Sequence, residues 1–429
     1  MISMQSGPQP ADFADVRATN LAVVLRQLRT SAPCSRADIA ATTGLNKATV
    51  SSLVTDLIER RLVREVGMTE NRIGRPATML VLDGSPYAAV GLEVSADYLT
   101  AVALDLAGER LLSWRRSFAG ASSSPGQAIA SLAALAKRAV AKMVREERRV
   151  LGLTVGVPGL VDADGVVELA PNLGWHEVDL RKSLLSALNE PAYPLLVEND
   201  ANLAVLAEQR FGGHAAGNLV YLTGSAGIGA GIVSDGRLLR GGRGFAGEFG
   251  HLPIDESLGR SRAVGGAVGG ESSGRSRAVG GESGPACGCG RRGCLESLAG
   301  IGAVIRRALP EAATSPSEFG PQVDEIHRLA KSGDPQVLDA LAVTGRYLGH
   351  GIAMLANLIN PEFVALGGYF TPLAPWLIPE AEREFLARSV AGHGGGTRIV
   401  ASALDSSAAA AGGAARVLDA IDAGILPTP

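Results

Sequence analysis

The sequence predicts a two-lobed α/β body behind a small winged helical head. Three observations carry that prediction. The first eighty or so residues pattern as short helices followed by two strands. From Tyr87 onward apolar strands alternate with helical stretches. The strand-turn-strand meander "YAAVGLEVSADYLTAVALDLAGERLLSWRRSF" is echoed by "NLVYLTGSAGIGAGIVSDGRLLRGG". Two similar halves, each a mixed sheet with flanking helices, imply two lobes and a cleft between them. A chain of 429 residues suits two or three domains, and 46% hydrophobic content supports a sizeable core.

The head occupies residues 17–83. "ATNLAVVLRQLRT" sets Leu21, Val24, Leu25 and Leu28 on one helical face. Ser35, three residues before Asp38, has capping-box spacing for a second helix, which Gly44 stops. Asn46 caps a third helix, "NKATVSSLVTDLIERR", whose buried stripe is Val50, Leu53, Val54, Leu57 and Ile58. Lys47, Thr49, Ser51 and Ser52 are left outward at its start, the end of a recognition helix that meets base edges in the major groove. Lys47 and Arg60 or Arg61 would serve phosphates. "RLVREVGMTENRIGRPATMLVLD" then reads as two strands around a polar turn, a wing whose Arg72 and Arg75 suit a narrow minor groove. The stretch resembles the winged helix-turn-helix heads of bacterial repressors, and "LNKATVSSLVTDLIERRLV" carries most of the likeness. The competing reading is a three-helix protein-interaction module.

Charge agrees with a nucleic-acid-binding front. Between Arg17 and Leu82 ten Lys/Arg face five Asp/Glu, while the whole chain carries −3, so the remainder sums to −8. No basic stretch followed by an apolar one opens the chain, and no window reaches the roughly 18 apolar residues of a membrane span, so a cytoplasmic protein is expected. Of four cysteines, Cys287, Cys289 and Cys294 fall within eight residues, which in such a chain suggests metal rather than disulfides.

In the body, "PGQAIASLAALAKRAVAKMVREE" is a long amphipathic helix, "VLGLTVGVPGLVDADGVVEL" a buried strand followed by a hairpin, and "PLLVEND" a strand running into the helix "ANLAVLAEQRFG". The ordered motifs "GVPGLVD", "APNLGW", "VENDANLAVLAE", "GIGAGIVSDGRLLRGGRGFAGEFGH" and "CGCGRRGCLESLAG" resemble the ROK family of repressors, open reading frames and kinases, whose body is an actin-like sugar-kinase fold. The likeness runs from Tyr87 to the C-terminus. It implies a first lobe over 86–203, completed by a C-terminal helix at 405–424, and a second over 204–404.

The resemblance also implies site residues. "CGCGRRGC" supplies three thiolates on a tight knuckle, and the family's fourth ligand, the His of "GEFGH", is His251. A closed Cys₃His set makes a structural zinc site, against the reading of reduced thiols on a loop. Between His251 and Cys287 the segment "GRSRAVGG" occurs at 259–266 and again at 274–281. It reads as a duplication inside a disordered Gly/Ser/Arg insertion at about 256–284, whose Arg260, Arg262, Arg275 and Arg277 are solvated or touch a partner. Asn172, Asn199, Asp200, Glu248, His251 and Glu296 match the positions that hold sugar hydroxyls, and Asp200 matches the kinases' general base. Each of these residues alone could equally be a helix cap or surface polar group.

The nucleotide side departs from the kinases. Their Asp-x-Gly-Gly-Thr turn is here Glu93-Val94-Ser95-Ala96-Asp97, without glycine and with a carboxylate in place of the Thr. Their Gly-Thr-Gly-Ile-Gly is here Ser225-Ala226-Gly227-Ile228-Gly229, while Gly367 and Gly368 keep the nucleoside-side pair. The expectation is a sugar-responsive regulator, most simply a repressor of carbohydrate genes, binding double-stranded operator DNA as a homodimer or homotetramer with phosphoryl transfer lost. The alternatives are a sugar kinase with a DNA-binding head and a body that only oligomerises.

Overall fold

The first helix, α1 (Phe13–Ser31), turns Leu21, Val24, Leu25 and Leu28 inward. The structure is a computed structural model that describes residues 13–68, 77–214, 216–254, 284–312, 319–390 and 396–427. After β1 (Cys34–Ser35), Ser35 opens α2 (Arg36–Thr43) with a capping box. The Asp38 amide donates to its hydroxyl at 3.2 Å, and its own amide donates back to the Asp38 carboxylate at 3.0 Å. Gly44 ends α2 in the left-handed region. Asn46 caps α3 (Lys47–Glu59) by accepting from the Thr49 amide at 2.8 Å. The wing follows as β2 (Val63–Met68) and β3 (Thr78–Leu82), antiparallel with Val63 opposite Leu82. β1 adds a third strand to β3, with Cys34 opposite Leu80; two residues are too few to show alternation in sequence. Arg72 and Arg75, at the wing's turn, lie outside the described residues, as does the repeated insertion.

The first lobe opens with the meander β4 (Tyr87–Val94), β5 (Tyr98–Leu104) and β6 (Arg110–Ser117). Then come α4 (Pro125–Arg145) and β7 (Arg149–Val157). A small sheet of β8 (Leu160–Val161), β9 (Val166–Ala170) and β10 (Trp175–Asp179) precedes α5 (Leu180–Ala187) and β11 (Leu195–Asn199). The main sheet has the order β11-β7-β4-β5-β6. α4 is amphipathic for a readable reason: Ser124 and Gln127 form its capping box, and Leu132, Ala136, Ala139 and Met143 line its buried face.

α6 (Asp200–Phe211) leads into β12 (Leu219–Gly224), β13 (Ile228–Ser234) and β14 (Arg237–Leu238). The helices α7 (Leu295–Ala299), α8 (Ile301–Ala308), α9 (Gly320–Lys331) and α10 (Pro335–Ile359) follow. Then come β15 (Phe363–Gly368), α11 (Ala374–Arg388), β16 (Arg398–Ala401) and α12 (Ala408–Asp422). This sheet runs β14-β13-β12-β15-β16. Both sheets therefore share one plan: an antiparallel meander to one side of the first strand and two parallel crossover strands to the other.

The lobe boundary expected at 203/204 needs correcting, because it falls inside α6. α6 packs on β12 and β13, α12 packs on β4, β5 and β7, and the two helices pack on each other. They form a layer between the sheets, so neither lobe ends cleanly there. The head is not a separately cored unit either. Leu25, Leu28, Val54 and Leu80 share one continuous apolar cluster with Tyr87, Val102, Ala414, Leu418 and Ile421. No helix among the described residues is long and apolar enough to cross a membrane.

Candidate functional site

On the head, Lys47, Ser51 and Ser52 are exposed along the start of α3, with Thr49 half-buried beside them. Arg60 does not fit the phosphate role expected of it. Its guanidinium donates to Asp56 at 2.7 Å and to the Pro427 carbonyl at 2.8 Å. Arg61, in contrast, is exposed.

The six residues matched to sugar hydroxyls line one cavity of about 260 Å³ between the lobes. β11 and α6 deliver Asn199 and Asp200 at a strand-to-helix junction. Asn199 accepts from the Asn202 amide at 3.0 Å and donates to the Gly159 carbonyl at 3.0 Å, so its amide is mostly committed to capping α6. Asp200 accepts from the Ala201 amide at 2.8 Å, and burial raises its pKa to about 6. Glu248 is also raised, first by burial and then by Asp200 and Glu296; its side chain is 39% exposed, so solvent screens part of that effect. Glu296 takes the Ile228 amide at 3.1 Å. The cavity thus offers several acceptors, an amide and an imidazole converging from separate elements, the chemistry that holds a polyol.

The glycine run 224–229 borders this cavity and, through Gly224, the neighbouring one lined by Asp97 and Tyr369. Ser225, Gly227 and Gly229 line this cavity, and Ala226 packs on the second lobe's core. A Cβ on Gly227 would come within 2.1 Å of Glu296 Oε2 and 2.5 Å of Asn172 Nδ2. The glycine lets two cavity-lining side chains close over the backbone.

Beside the cavity sits the cysteine knuckle. The ligand atoms of His251, Cys287, Cys289 and Cys294 all lie within 4.8 Å of one another. His251 Nδ1 is 3.6 Å from Cys287 Sγ, and the Cys289 and Cys294 sulfurs are 3.8 Å apart. Metal bonds of about 2.3 Å to sulfur and 2.0 Å to nitrogen place tetrahedral ligands roughly 3.5–3.8 Å apart, so the set fits a four-coordinate ion. His251 Nε2 faces Glu248 at 3.7 Å, which joins the knuckle to the cavity wall. Pairing of Pro253 with Cys294, and a bond from the Ile254 amide to the Gly293 carbonyl at 2.9 Å, hold the two stems of the insertion together.

Across the cleft, the turn 93–97 is folded onto the protein. Glu93 is buried and accepts from the Tyr98 hydroxyl at 2.8 Å; burial first, then Asp200, raises its pKa to about 8. Ser95 and Ala96 are buried in the turn. Asp97, expected beside phosphate, accepts instead from the Tyr369 hydroxyl and from the Phe319 amide at 3.4 Å. Arg115 donates to Tyr369 at 3.3 Å and stacks over the Tyr98 ring at 3.9 Å. Tyr369 and Arg115 were not among the residues marked by motif; Tyr369 directly follows Gly368, which is the one hint in sequence. Glu198 was missed too. Adjacent to the motif pair, it accepts from Asn199 N and Asn202 Nδ2, both at 3.0 Å, and takes Arg240.

Two sheets of one topology meeting over a polar cleft make an actin-like, sugar-kinase type of body, here carrying a winged helix in front. The chain belongs to the ROK family, which it matches over residues 89–420, and residues 22–67 match the MarR family. It is 30% identical over 410 residues to the xylose repressor of Bacillus subtilis (strain 168), covering 95% of this chain and 97% of the repressor. A crystal structure of a ROK family transcriptional regulator, a homologue of the E. coli MLC protein, superposes with a TM-score of 0.74 at 27% identity, covering 96% of this chain and 98% of that one. A ROK family glucokinase from Streptomyces griseus, solved with glucose and AMPPNP, gives 0.61 at 25% identity, covering 77% of this chain and 98% of the kinase. This chain is a ROK-family transcriptional regulator.

Proposed function

We propose that the protein is a repressor whose body binds a monosaccharide and whose winged head releases operator DNA in response, without phosphorylating the sugar. The observation that carries this reading is Asp97. At the turn where the kinase fold takes up phosphate, its carboxylate is held from the other lobe by Tyr369 and Phe319. A phosphate arriving there meets a buried anion at the cost of about 4 kcal/mol for like charges 4 Å apart at an effective dielectric near 20. It must also displace the donors that Asp97 already uses. The polyol cavity a few residues away carries no such obstruction, and its volume of about 260 Å³ suits one sugar ring rather than a chain.

Asp200, Glu248, Glu296 and Asn172 bind and orient the ring. His251 turns its Nε2 edge toward Glu248 while Nδ1 serves the metal. We assign that metal as zinc, which takes three thiolates and an imidazole with no open position and so braces the cavity wall. Closure of the lobes on sugar re-aims the heads of a homodimer or homotetramer, changing the spacing of the two recognition helices against paired half-sites. For a near-complete switch the sugar must prefer the closed form by about 5.5 kcal/mol. Lys47, Thr49, Ser51 and Ser52 on α3 carry the DNA contact, with Arg72 and Arg75 of the wing as minor-groove probes.

D-Xylose is the first effector to test, given the full-length similarity to a xylose repressor. Binding of the full chain to duplex flanking its own gene, measured with and without D-xylose, D-glucose and N-acetylglucosamine, tests the reading. Sugar-dependent release supports it. ATP turnover with any of these sugars that vanishes in Asp200→Asn would replace it with the kinase reading, which the glucokinase likeness keeps in view.

A further inference from the structure

Asp422, the last residue of α12, is bonded from two sides. Arg29 of α1, in the head, donates to Asp422 Oδ1 through Nη2 at 2.6 Å and Nε at 3.1 Å. Arg210, one residue from the end of α6, donates to Asp422 Oδ2 at 3.1 Å and to Asp419 at 3.3 Å. The three side chains are only 17–23% exposed. One carboxylate therefore separates two guanidiniums, one on the head and one on the helix whose other end is in the sugar cavity.

That helix is short and stiffly seated. Its 12 residues span about 18 Å at roughly 1.5 Å each. Its first turn is fixed by Asn199 and Asp200 in the cavity. Midway, α12 lies directly against its backbone: a Cβ on Gly412 would come within 1.8 Å of the Leu203 carbonyl oxygen. Just past Asp422, a Cβ on Gly424 would come within 2.3 Å of the Ala18 carbonyl oxygen of α1. Backbones in such contact move together, because no side chain is available to absorb a displacement.

We propose that α6 and α12 carry sugar occupancy to the DNA-binding head, with Asp422 as the positioning residue that couples Arg210 to Arg29. The proposal rests on the sensor reading above. A shift of Asn199 and Asp200 on sugar closure moves α6 along its axis. Arg210 then draws Asp422, and Arg29 follows with α1. Removing the Asp422 charge leaves two arginines facing each other and breaks the ionic link between α6 and α1.

The test needs no sugar. A duplex is selected from a random pool by the full wild-type chain, and its affinity is measured by fluorescence anisotropy. Asn199→Ala, which uncaps α6 inside the cavity, is made in the wild type and in Asp422→Asn, Asp422→Glu and Arg210→Met backgrounds, each checked for folding by circular dichroism. Coupling through Asp422 predicts that Asn199→Ala changes affinity about fivefold or more in the wild type. It predicts under twofold in Asp422→Asn and Arg210→Met, with the effect restored in Asp422→Glu. Should Asp422→Asn fail to fold, Arg210→Met alone decides. An equal effect in every background, or none in the wild type, overturns the relay. If the wild type retains no duplex, the DNA-binding reading itself falls and the relay with it, a result distinguishable from both.

Discussion

Replacing Glu93 by Gln should change how stability depends on pH, in a direction the structure fixes. Glu93 is buried under the meander with one oxygen on the Tyr98 hydroxyl and the other without a partner. Burial, then Asp200, and to a lesser degree Asp97, push its pKa to about 8 from an ordinary 4.5, against the opposing influence of the Tyr98 bond and Arg115. The folded protein therefore holds a proton at Glu93 that the unfolded chain gives up. Between about pH 4.5 and pH 8 the folded state binds more protons, so stability falls as pH rises through that window and levels off above it. Each unit is worth about 1.4 kcal/mol, which makes roughly 5 kcal/mol the ceiling over the window. Glutamine keeps the acceptor for Tyr98 and has no proton to lose. The stability difference, Glu93→Gln minus wild type, should be smallest near pH 5 and grow by up to about 1.4 kcal/mol per unit to a plateau above pH 8. Urea unfolding of both proteins at fixed ionic strength from pH 5 to pH 9 measures it. Asp200 titrates in the same sense near pH 6 but does so in both proteins. A difference that does not vary with pH would show that Glu93 is ionised in the fold, and the account of Glu93 as a buried group that keeps its proton would be wrong.

Four further outcomes follow from the same geometry. Tyr369→Phe removes a hydrogen bond to a charged group and should cost about 1.5–3 kcal/mol in urea unfolding; no change would mean that Asp97 is not held from the second lobe. On the zinc assignment proposed above, Cys289→Ser should lower the bound zinc of the purified protein and the melting temperature with it; an unaltered metal content would move the site elsewhere. Lys47→Ala should weaken DNA binding at all sequences alike and reduce the slope of log affinity against log salt by about 0.9, whereas an unchanged slope would remove Lys47 from the phosphate contacts. Asp200→Asn should abolish sugar-induced release while leaving DNA affinity without sugar in place, and release that persists would put the effector outside this cavity.

What sequence could show depended on how far apart the cooperating residues lie. The caps at Ser35 and Asn46 are three-residue relationships, and the structure has both. The cysteine knuckle spans eight residues plus one histidine, and its ligand atoms do cluster. The repeated meander announced two sheets of one plan. The partners of Asp97 and Arg60 could not be read this way. Asp97 and Tyr369 are 272 residues apart, and Arg60 binds a carbonyl 367 residues downstream. Neither pairing leaves a periodicity or a motif. The glycine run shows another limit: Gly227 matches a glycine of the kinases' loop, and the side chains that come close to it, Glu296 and Asn172, lie far from it in sequence. A glycine records that something comes close without recording what.

The placement of α6 and α12 bears on why a kinase-type body can serve a DNA-binding head at all. A head joined by a flexible linker would respond to lobe closure only through the average position of its tether, which fixes no orientation. Here the apolar face of α12 is shared: Ala410, Ala414, Leu418 and Ile421 pack in one cluster with Leu25, Leu28 and Val54 of the head. Separating head from body would expose that face, so the head is bound to follow the helix it rests on. α12 in turn lies on the first sheet and against α6, whose first turn forms part of the cavity. A sugar that shifts this turn acts on a packed interface, which has discrete arrangements rather than a continuum of them.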